Sequence, residues 1–419
     1  MKHLSLIRLV YNLLLPLVLL IGVVPWVVKM LKRGGFGTGL LERVGVFRRS
    51  IDFEPCGVVY VHAVSVGEVL IALKLIDCWL DLYPDERIVL APTTATGHSL
   101  AEERSPKEVR VIYAPIDLPI VLNRLFCRFG PKQIVLVESE IWPNLMVMAA
   151  KNKIPVTVAN ARLSSRSEVR YKKLETVVAP ILRLFDKVTV PEIEDVERWS
   201  AIGVRKRVLR HTGSIKFDQQ GAAKPKKRTE FQKIIEGFGV GRKVVMALST
   251  HEGEEVAIAK ELIQCDVLPV IVPRHAERRE SVEKELRELG VEVVLRSRFT
   301  IPSDPNNAVL VVDSTGELRD WTAHADVAVV GKSFIGKGGQ NPTEAIAVGV
   351  PVITGPFMGN FEPLVSRLVV SKCVWMTRDV RELKAAVNFL LANDVSDELA
   401  KASALLTSHQ GATERTVRE

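Results

Sequence analysis

The chain has 419 residues, room for two or three ordinary domains, which excludes a peptide-sized module or a disulfide-stapled miniprotein. With 47% hydrophobic and 25% charged residues it cannot be mainly disordered, and its net charge of +8 is a modest excess suited to phosphate, nucleic acid or an anionic membrane surface. Cys56, Cys78, Cys127, Cys265 and Cys373 are scattered, odd in number and without a Cys-x-x-Cys pair, so neither a disulfide framework nor a zinc ribbon is supported.

Residues 9–28 form an apolar run of the length an α-helix needs to cross a bilayer, with Asn12 its only strongly polar member. Pro16 and Pro25 are tolerated in membrane helices, and Trp26 stands where an interfacial aromatic belongs. A signal peptide is the rival reading. No small-x-small cleavage site follows, and Lys29, Lys32, Arg33, Arg43, Arg48 and Arg49 lie just downstream, so an uncleaved anchor with a cytoplasmic basic flank is expected.

Beyond the anchor, short β-branched apolar runs alternate with helix-like stretches, at 57–66, 87–93, 109–115, 132–139, 154–160 and 186–192. Repeated β-α units predict a parallel sheet covered on both faces. Residues 219–243 change to small residues, a basic cluster and glycines, and read as a linker. A second series follows at 244–250, 267–274, 291–297, 308–314, 325–333 and 350–355, so two similar halves with a cleft between them are expected.

In such sheets ligands collect at the carboxyl ends of strands, where helices begin with unsatisfied N–H groups and partial positive charge. After the first strand, Ser65 and Glu68 have capping-box spacing, so Glu68 either turns back to satisfy the helix start or serves as a general base. Glu138 and Glu140 end another strand; on an extended backbone carboxylates at i and i+2 point the same way, which is costly unless they are hydrogen-bonded, paired or sharing a proton. Arg162, Arg166, Arg170, Lys172 and Lys173 form a basic stretch that either receives phosphate or is a solvated helix face.

In the second half, residues 249–255 (STHEGEE) are not the zinc motif His-Glu-x-x-His, because Glu255 occupies the fifth position. Arg274, following Pro273 at a strand end, suits a phosphate or carboxylate. Around residues 338–344, Asn341 is placed as N-cap, Pro342 at the first helical position and Glu344 three residues after the cap, behind two glycines that admit a ligand to the backbone. The glycine cluster Gly34, Gly35, Gly37 and Gly39 follows the anchor rather than a strand and fails the dinucleotide spacing.

Taken in order, HAVSVGE (62–68), TTATG (93–97), ESEIWPN (138–144), NARLSSRS (160–167), TGSIKFD (212–218), STHEGEE (249–255), PRHAER (273–278), DSTGEL (313–318) and GGQNPTE (338–344) closely resemble the 3-deoxy-D-manno-octulosonic acid (Kdo) transferases of lipopolysaccharide synthesis. The resemblance implies an α/β GT-B glycosyltransferase, with two Rossmann-like domains facing a cleft and an N-terminal membrane-anchor helix. It further implies inverting, metal-independent transfer of Kdo from CMP-Kdo, with no cofactor, to a lipid A precursor (lipid IVA) at the cytoplasmic side of the inner membrane. Glu68 resembles the family's general base. Pro273 and Arg274, then Gly316, Glu317 and Leu318, then Asn341, Pro342, Thr343 and Glu344 resemble its CMP contacts. Ser65, Gly67, Thr94, Glu138, Glu140, Arg162 and Arg166 are candidate acceptor-side or supporting residues. Many members have His where this chain has Gln340 and Asn where it has Ser214.

The domains expected are an anchor and basic flank (1–33), an acceptor domain (34–218), a linker (219–243) and a CMP-Kdo domain (244–419) whose last helix is free to return to the first. Two rivals stand beside this reading. One is another membrane-associated GT-B enzyme using a UDP-sugar. The other is a non-enzymatic, membrane-tethered nucleotide-binding or nucleic-acid-binding protein, against which aromatics of only 6%, not interleaved with the charge, argue.

Overall fold

The computed structural model describes residues 2–32, 39–163, 165–218, 225–336 and 338–419. Arg33, the glycines Gly34, Gly35 and Gly37, Ser164 and residues 219–224 of the expected linker lie outside them, as do the side chains of Trp26 and Arg166. The chain divides into two compact units: Met1–Gln220 with His409–Glu419, and Gly221–Ser408.

Unit 1 is built on a seven-stranded sheet of β1 (Val59–Ala63), β2 (Ile88–Pro92), β3 (Val109–Val111), β4 (Gln133–Val137), β5 (Val156–Ala159), β6 (Lys187–Val190) and β7 (Leu209–His211). All pairings are parallel, in the order β3-β2-β1-β4-β5-β6-β7. Val59, Tyr60 and Val61 of β1 are buried on both faces, the signature of a sheet covered twice. One layer packs Tyr60, Phe129, Phe185 and Trp199; the other packs Val61, Leu75, Ile76 and Leu90. The order reverses between β1 and β4, opening a crevice at their carboxyl ends.

Unit 2 repeats the plan with β8 (Val244–Thr250), β9 (Leu268–Pro273), β10 (Glu292–Leu295), β11 (Ala308–Val311), β12 (Val327–Val330), β13 (Val352–Thr354) and β14 (Trp375–Met376). These are parallel in the order β10-β11-β9-β8-β12-β13-β14, so the reversal falls between β8 and β12. Each apolar run read from the sequence contains a strand. Two strands carried no such signal: β7 is the three residues Leu-Arg-His and β14 the two residues Trp-Met, both at sheet edges, where neighbours rather than composition supply the pairing.

The structure moves two expected boundaries. From the stretch read as linker, Thr229–Glu236 folds as a helix of unit 2, its Phe231 ring stacked on Trp321 at 4.0 Å, while Arg228 and the Lys226 N–H bond to Asp320. The basic cluster had masked an amphipathic turn. The anchor, a continuous helix Lys2–Lys32, is not a separate domain: Leu4 and Ile7 pack on the core of unit 1, and Arg8 Nε donates to Asn144 Oδ1 at 2.9 Å. Asn12 and Asn144 exchange amide bonds of 2.7 and 3.2 Å, which explains the one polar residue in the apolar run. The stretch Leu4–Gly22 remains long and apolar enough to cross a membrane, with Leu13, Leu17 and Leu20 exposed.

Candidate functional site

The carboxyl edge of the unit 1 sheet gathers the predicted acceptor-side residues. The helix Val66–Leu82 begins directly after β1, with Ser65 as its N-cap. Glu68 folds back on that cap: its Oε1 accepts from the Ser65 hydroxyl at 2.9 Å and its Oε2 from the Val64 N–H at 2.8 Å. The capping reading therefore holds, and it is compatible with proton transfer, because each carboxylate oxygen keeps a second lone pair. Gly67 has room for a side chain, an added Cβ meeting only Ser65 Oγ at 3.8 Å. Thr94 caps the next helix, accepting from the Gly97 N–H at 3.1 Å, and belongs to the frame of the site.

Across the strand-order reversal, β4 leads into Glu138 and Glu140. The extended geometry expected for this pair is not what forms: the strand ends at Val137 and Glu138 takes a left-handed φ of 62°. Such strain in a non-glycine residue persists only where its surroundings over-determine it. The carboxylates still gather. Burial and then the charge of Glu68 push Glu138 above the usual carboxylate range, offset by Arg162 and Lys216. Burial and Glu68 push Glu140 up to about 7, partly offset by the Trp142 indole. Burial and the neighbouring Arg162 bring Lys216 down to about 8, while Glu138 acts to raise it. The site thus brings three carboxylates together with two cations beside them.

The basic stretch divides. Arg162 enters the cluster, whereas Lys172 pairs with Glu168 at 2.8 Å on an exposed helix face with Arg170 and Lys173, the solvated reading. Arg166 lies in the helix Ser165–Lys173. His62 is a buried core histidine, driven to about 4 by burial and edge-on to Trp142. Lys216 was not singled out from the sequence. Its signal was a lysine within TGSIKFD, directly after a strand too short to recognise.

In unit 2 the residues expected to contact the donor follow the ends of β9, β11 and β12. Pro273 closes β9, and the Arg274 N–H donates to Thr250 O at 2.9 Å, leaving its side chain exposed. Burial raises Glu344, and Arg319 and Arg274 offset that shift, so the 273–274, 316–319 and 341–344 segments share one electrostatic neighbourhood. The helix of the last segment spans Thr343–Ala347 with Pro342 at the cap position, one residue later than expected. Asn341 nevertheless supplies the capping oxygen, accepting from the Thr343 N–H at 3.1 Å and hydroxyl at 2.8 Å. Gly338 and Gly339 have left-handed φ and no space for side chains, since an added Cβ would lie 2.3 Å from Asn360 or Met358.

The Glu317 carboxylate is held by Arg296 at 3.0 and 3.2 Å and by the Ser314 hydroxyl. Three further groups were not named as site residues from the sequence, although His251 and Glu254 lie in STHEGEE (249–255). Burial and then Lys332, His275, Arg274 and Arg278 drive His251 to about 4, so its ring is neutral and its Nε2 accepts from Gln340 Nε2 at 2.7 Å. Glu254, raised by burial to about 7, accepts from the His251 N–H at 2.7 Å and from the Lys332 N–H. Gly331 joins the ends of β8 and β12 so closely that a Cβ would sit 2.4 Å from Ser249 O.

Residues 38–219 match a family model described as 3-deoxy-D-manno-octulosonic-acid transferase (kdotransferase). The chain is 31% identical over 384 residues to the 3-deoxy-D-manno-octulosonic acid transferase of Haemophilus influenzae, covering 90% of this chain and 89% of that one. It is 30% identical over 374 residues to the enzyme of the same name from Bordetella pertussis, covering 86% of each. In fold it resembles Anabaena Alr3699/HepE, solved in complex with UDP, with a TM-score of 0.55 at 14% identity over 87% of this chain and 98% of that one.

Proposed function

The chain belongs to the 3-deoxy-D-manno-octulosonic acid transferase family of glycosyltransferases, and from that premise we propose that it moves Kdo from CMP-Kdo to a lipid A precursor, lipid IVA, in lipopolysaccharide synthesis. The observation that carries this reading is the cluster of Glu68, Glu138 and Glu140 with Arg162 and Lys216 at the strand-order reversal of unit 1.

In the proposed reaction the acceptor hydroxyl loses its proton to Glu68 as its oxygen bonds to the anomeric carbon of Kdo. The bond from that carbon to the CMP phosphate breaks with inversion, and the electron pair leaves with CMP. Glu138 and Glu140 stand close enough to Glu68 to feel its charge. Lys216 and Arg162 set positive charge against the carboxylates of that cluster.

The leaving phosphate needs positive potential rather than a strong acid. Arg274 supplies it, with the backbone N–H groups at Gly316 to Leu318 and the helix start capped by Asn341. Pro273, Pro342, Thr343 and Glu344 complete the donor surface, and the proposed transfer proceeds without a metal or cofactor. The apolar helix Leu4–Gly22 holds the enzyme at the membrane that contains its acceptor, at the cytoplasmic face of the inner membrane. Incubating the protein with lipid IVA and either CMP-Kdo or UDP-sugars tests the reading: nucleotide release is expected with CMP-Kdo alone, and release from a UDP-sugar alone would favour the rival glycosyltransferase.

A further inference from the structure

The closing segment His409–Glu419 belongs to unit 1 and grips the loop 212–218 that follows β7. Arg415 donates to Thr212 O through Nε at 2.9 Å and Nη2 at 2.7 Å, and the Thr212 and Thr416 hydroxyls meet at 3.0 Å. The Ser214 N–H donates to His409 Nδ1 at 3.1 Å. Asp218 accepts from the Gly411 N–H at 2.9 Å and from the Thr413 N–H and hydroxyl at 2.8 and 2.6 Å. Gly213, with φ 86°, lets the two segments touch: a Cβ there would lie 3.2 Å from Ala412 and 3.3 Å from His409.

Lys74 Nζ also donates to Ile215 O at 3.2 Å and Asp218 O at 2.7 Å, and Asn160 Oδ1 accepts from the Ile215 N–H at 3.0 Å. Lys216 therefore stands in a loop whose backbone is fixed on both flanks. His409 is 2% exposed. Because its Nδ1 accepts a backbone N–H, the proton of the neutral ring is on Nε2, whose nearest acid is Glu192 at 3.8 Å. A buried, singly protonated imidazole with one backbone acceptor role is a fixed strut. Nothing in the proposed chemistry uses it directly.

We propose that His409 is a positioning residue for transfer: with Gly411, Thr413 and Arg415 it clamps the 212–218 loop so that the Lys216 ammonium is held beside Glu138 and Arg162. This rests on the proposed role of the unit 1 cluster. The clamp is distant in sequence from the loop it positions.

A double-mutant cycle tests it, with folding checked by circular dichroism and CMP affinity by calorimetry. His409→Ala is expected to lower kcat on lipid IVA about tenfold or more, the order of effect a small misplacement produces, with CMP affinity unchanged. His409→Asn, whose Oδ1 stands where Nδ1 stood, is expected to recover most of that loss. In a Lys216→Ala background, His409→Ala is expected to cost less than about twofold more, because the two act as one unit. Wild-type turnover of His409→Ala, or losses that multiply in the double variant, would overturn the proposal. Should His409→Ala fail to fold, Thr413→Val run through the same cycle decides by the same criteria. Wild-type turnover of Lys216→Ala would instead strike at the proposed cluster, whatever His409 does.

Discussion

Ser65 and Glu68 hold each other in both directions: the serine hydroxyl donates to Glu68 Oε1 at 2.9 Å and accepts from the Glu68 N–H at 3.3 Å. A carboxylate whose rotamer is set by its own helix start needs no rearrangement before accepting a proton. The same helix start places it where Glu138 and Glu140 respond to its charge. Capping and the proposed proton transfer thus draw on one geometry, and substitution can separate them.

Glu68→Gln keeps an oxygen for the cap and loses the basic site. Unfolding stability is expected to fall by less than about 2 kcal/mol, the upper range for a lost cap. CMP affinity should be unchanged by calorimetry, and initial rates should drop by about 100-fold or more, as for loss of a general base.

Glu140→Gln should remove a loss of stability that wild type suffers as pH rises. The folded value of about 7 lies above the ordinary 4.5, so the proton is bound more tightly in the folded state. That contribution is fully present below pH 4.5 and is lost as pH rises through 7. Relative to wild type, the glutamine variant should gain about 1–2 kcal/mol between pH 5 and pH 8, after allowance for partial solvent screening. Urea unfolding at the two pH values measures it, and an unchanged difference would mean Glu140 is not under strain from Glu68 and burial.

Arg274→Ala is expected to weaken CMP binding by about 10–100-fold, the worth of hydrogen bonds to a charged group, and Arg274→Lys should restore little of it because an ammonium does not copy the guanidinium fork. Calorimetry with CMP reads both. Because the Arg274 side chain is exposed, the thermal midpoint should stay within a few degrees of wild type.

Much of this was legible because parallel α/β folding has a strong grammar. Alternating apolar runs and helix-like stretches marked the strands, and cap spacing placed Ser65, Glu68 and Thr94 at strand ends. Strand order was not legible: nothing in the spacing says that β4 lies beside β1, or β12 beside β8, and it is this order that sets Glu138 near Glu68 and Lys332 near His251. The left-handed turn at Glu138 broke the extended-backbone reading of its pair with Glu140. Long-range partners such as Ser214 with His409 and Asn12 with Asn144 carry no local pattern at all.

Deleting residues 2–32 should do more than release the protein from membranes. It removes Leu4 and Ile7 from the unit 1 core and strips the buried Asn144 of its Arg8 and Asn12 partners. A buried amide left unsatisfied costs roughly 1–3 kcal/mol, so the truncated protein should unfold at lower temperature in detergent while CMP affinity, a property of unit 2, is retained. An unchanged unfolding temperature would mean the helix is a simple tether.

The central claim is that this chain transfers Kdo through Glu68, and mass analysis of lipid IVA after incubation with CMP-Kdo tests it most directly. With the wild-type protein the lipid should gain the mass of one or more Kdo units, with one CMP released for each, and with Glu68→Gln it should gain none over the same period. A lipid unchanged by the folded, CMP-binding wild-type protein, or converted equally well by the glutamine variant, would contradict the account.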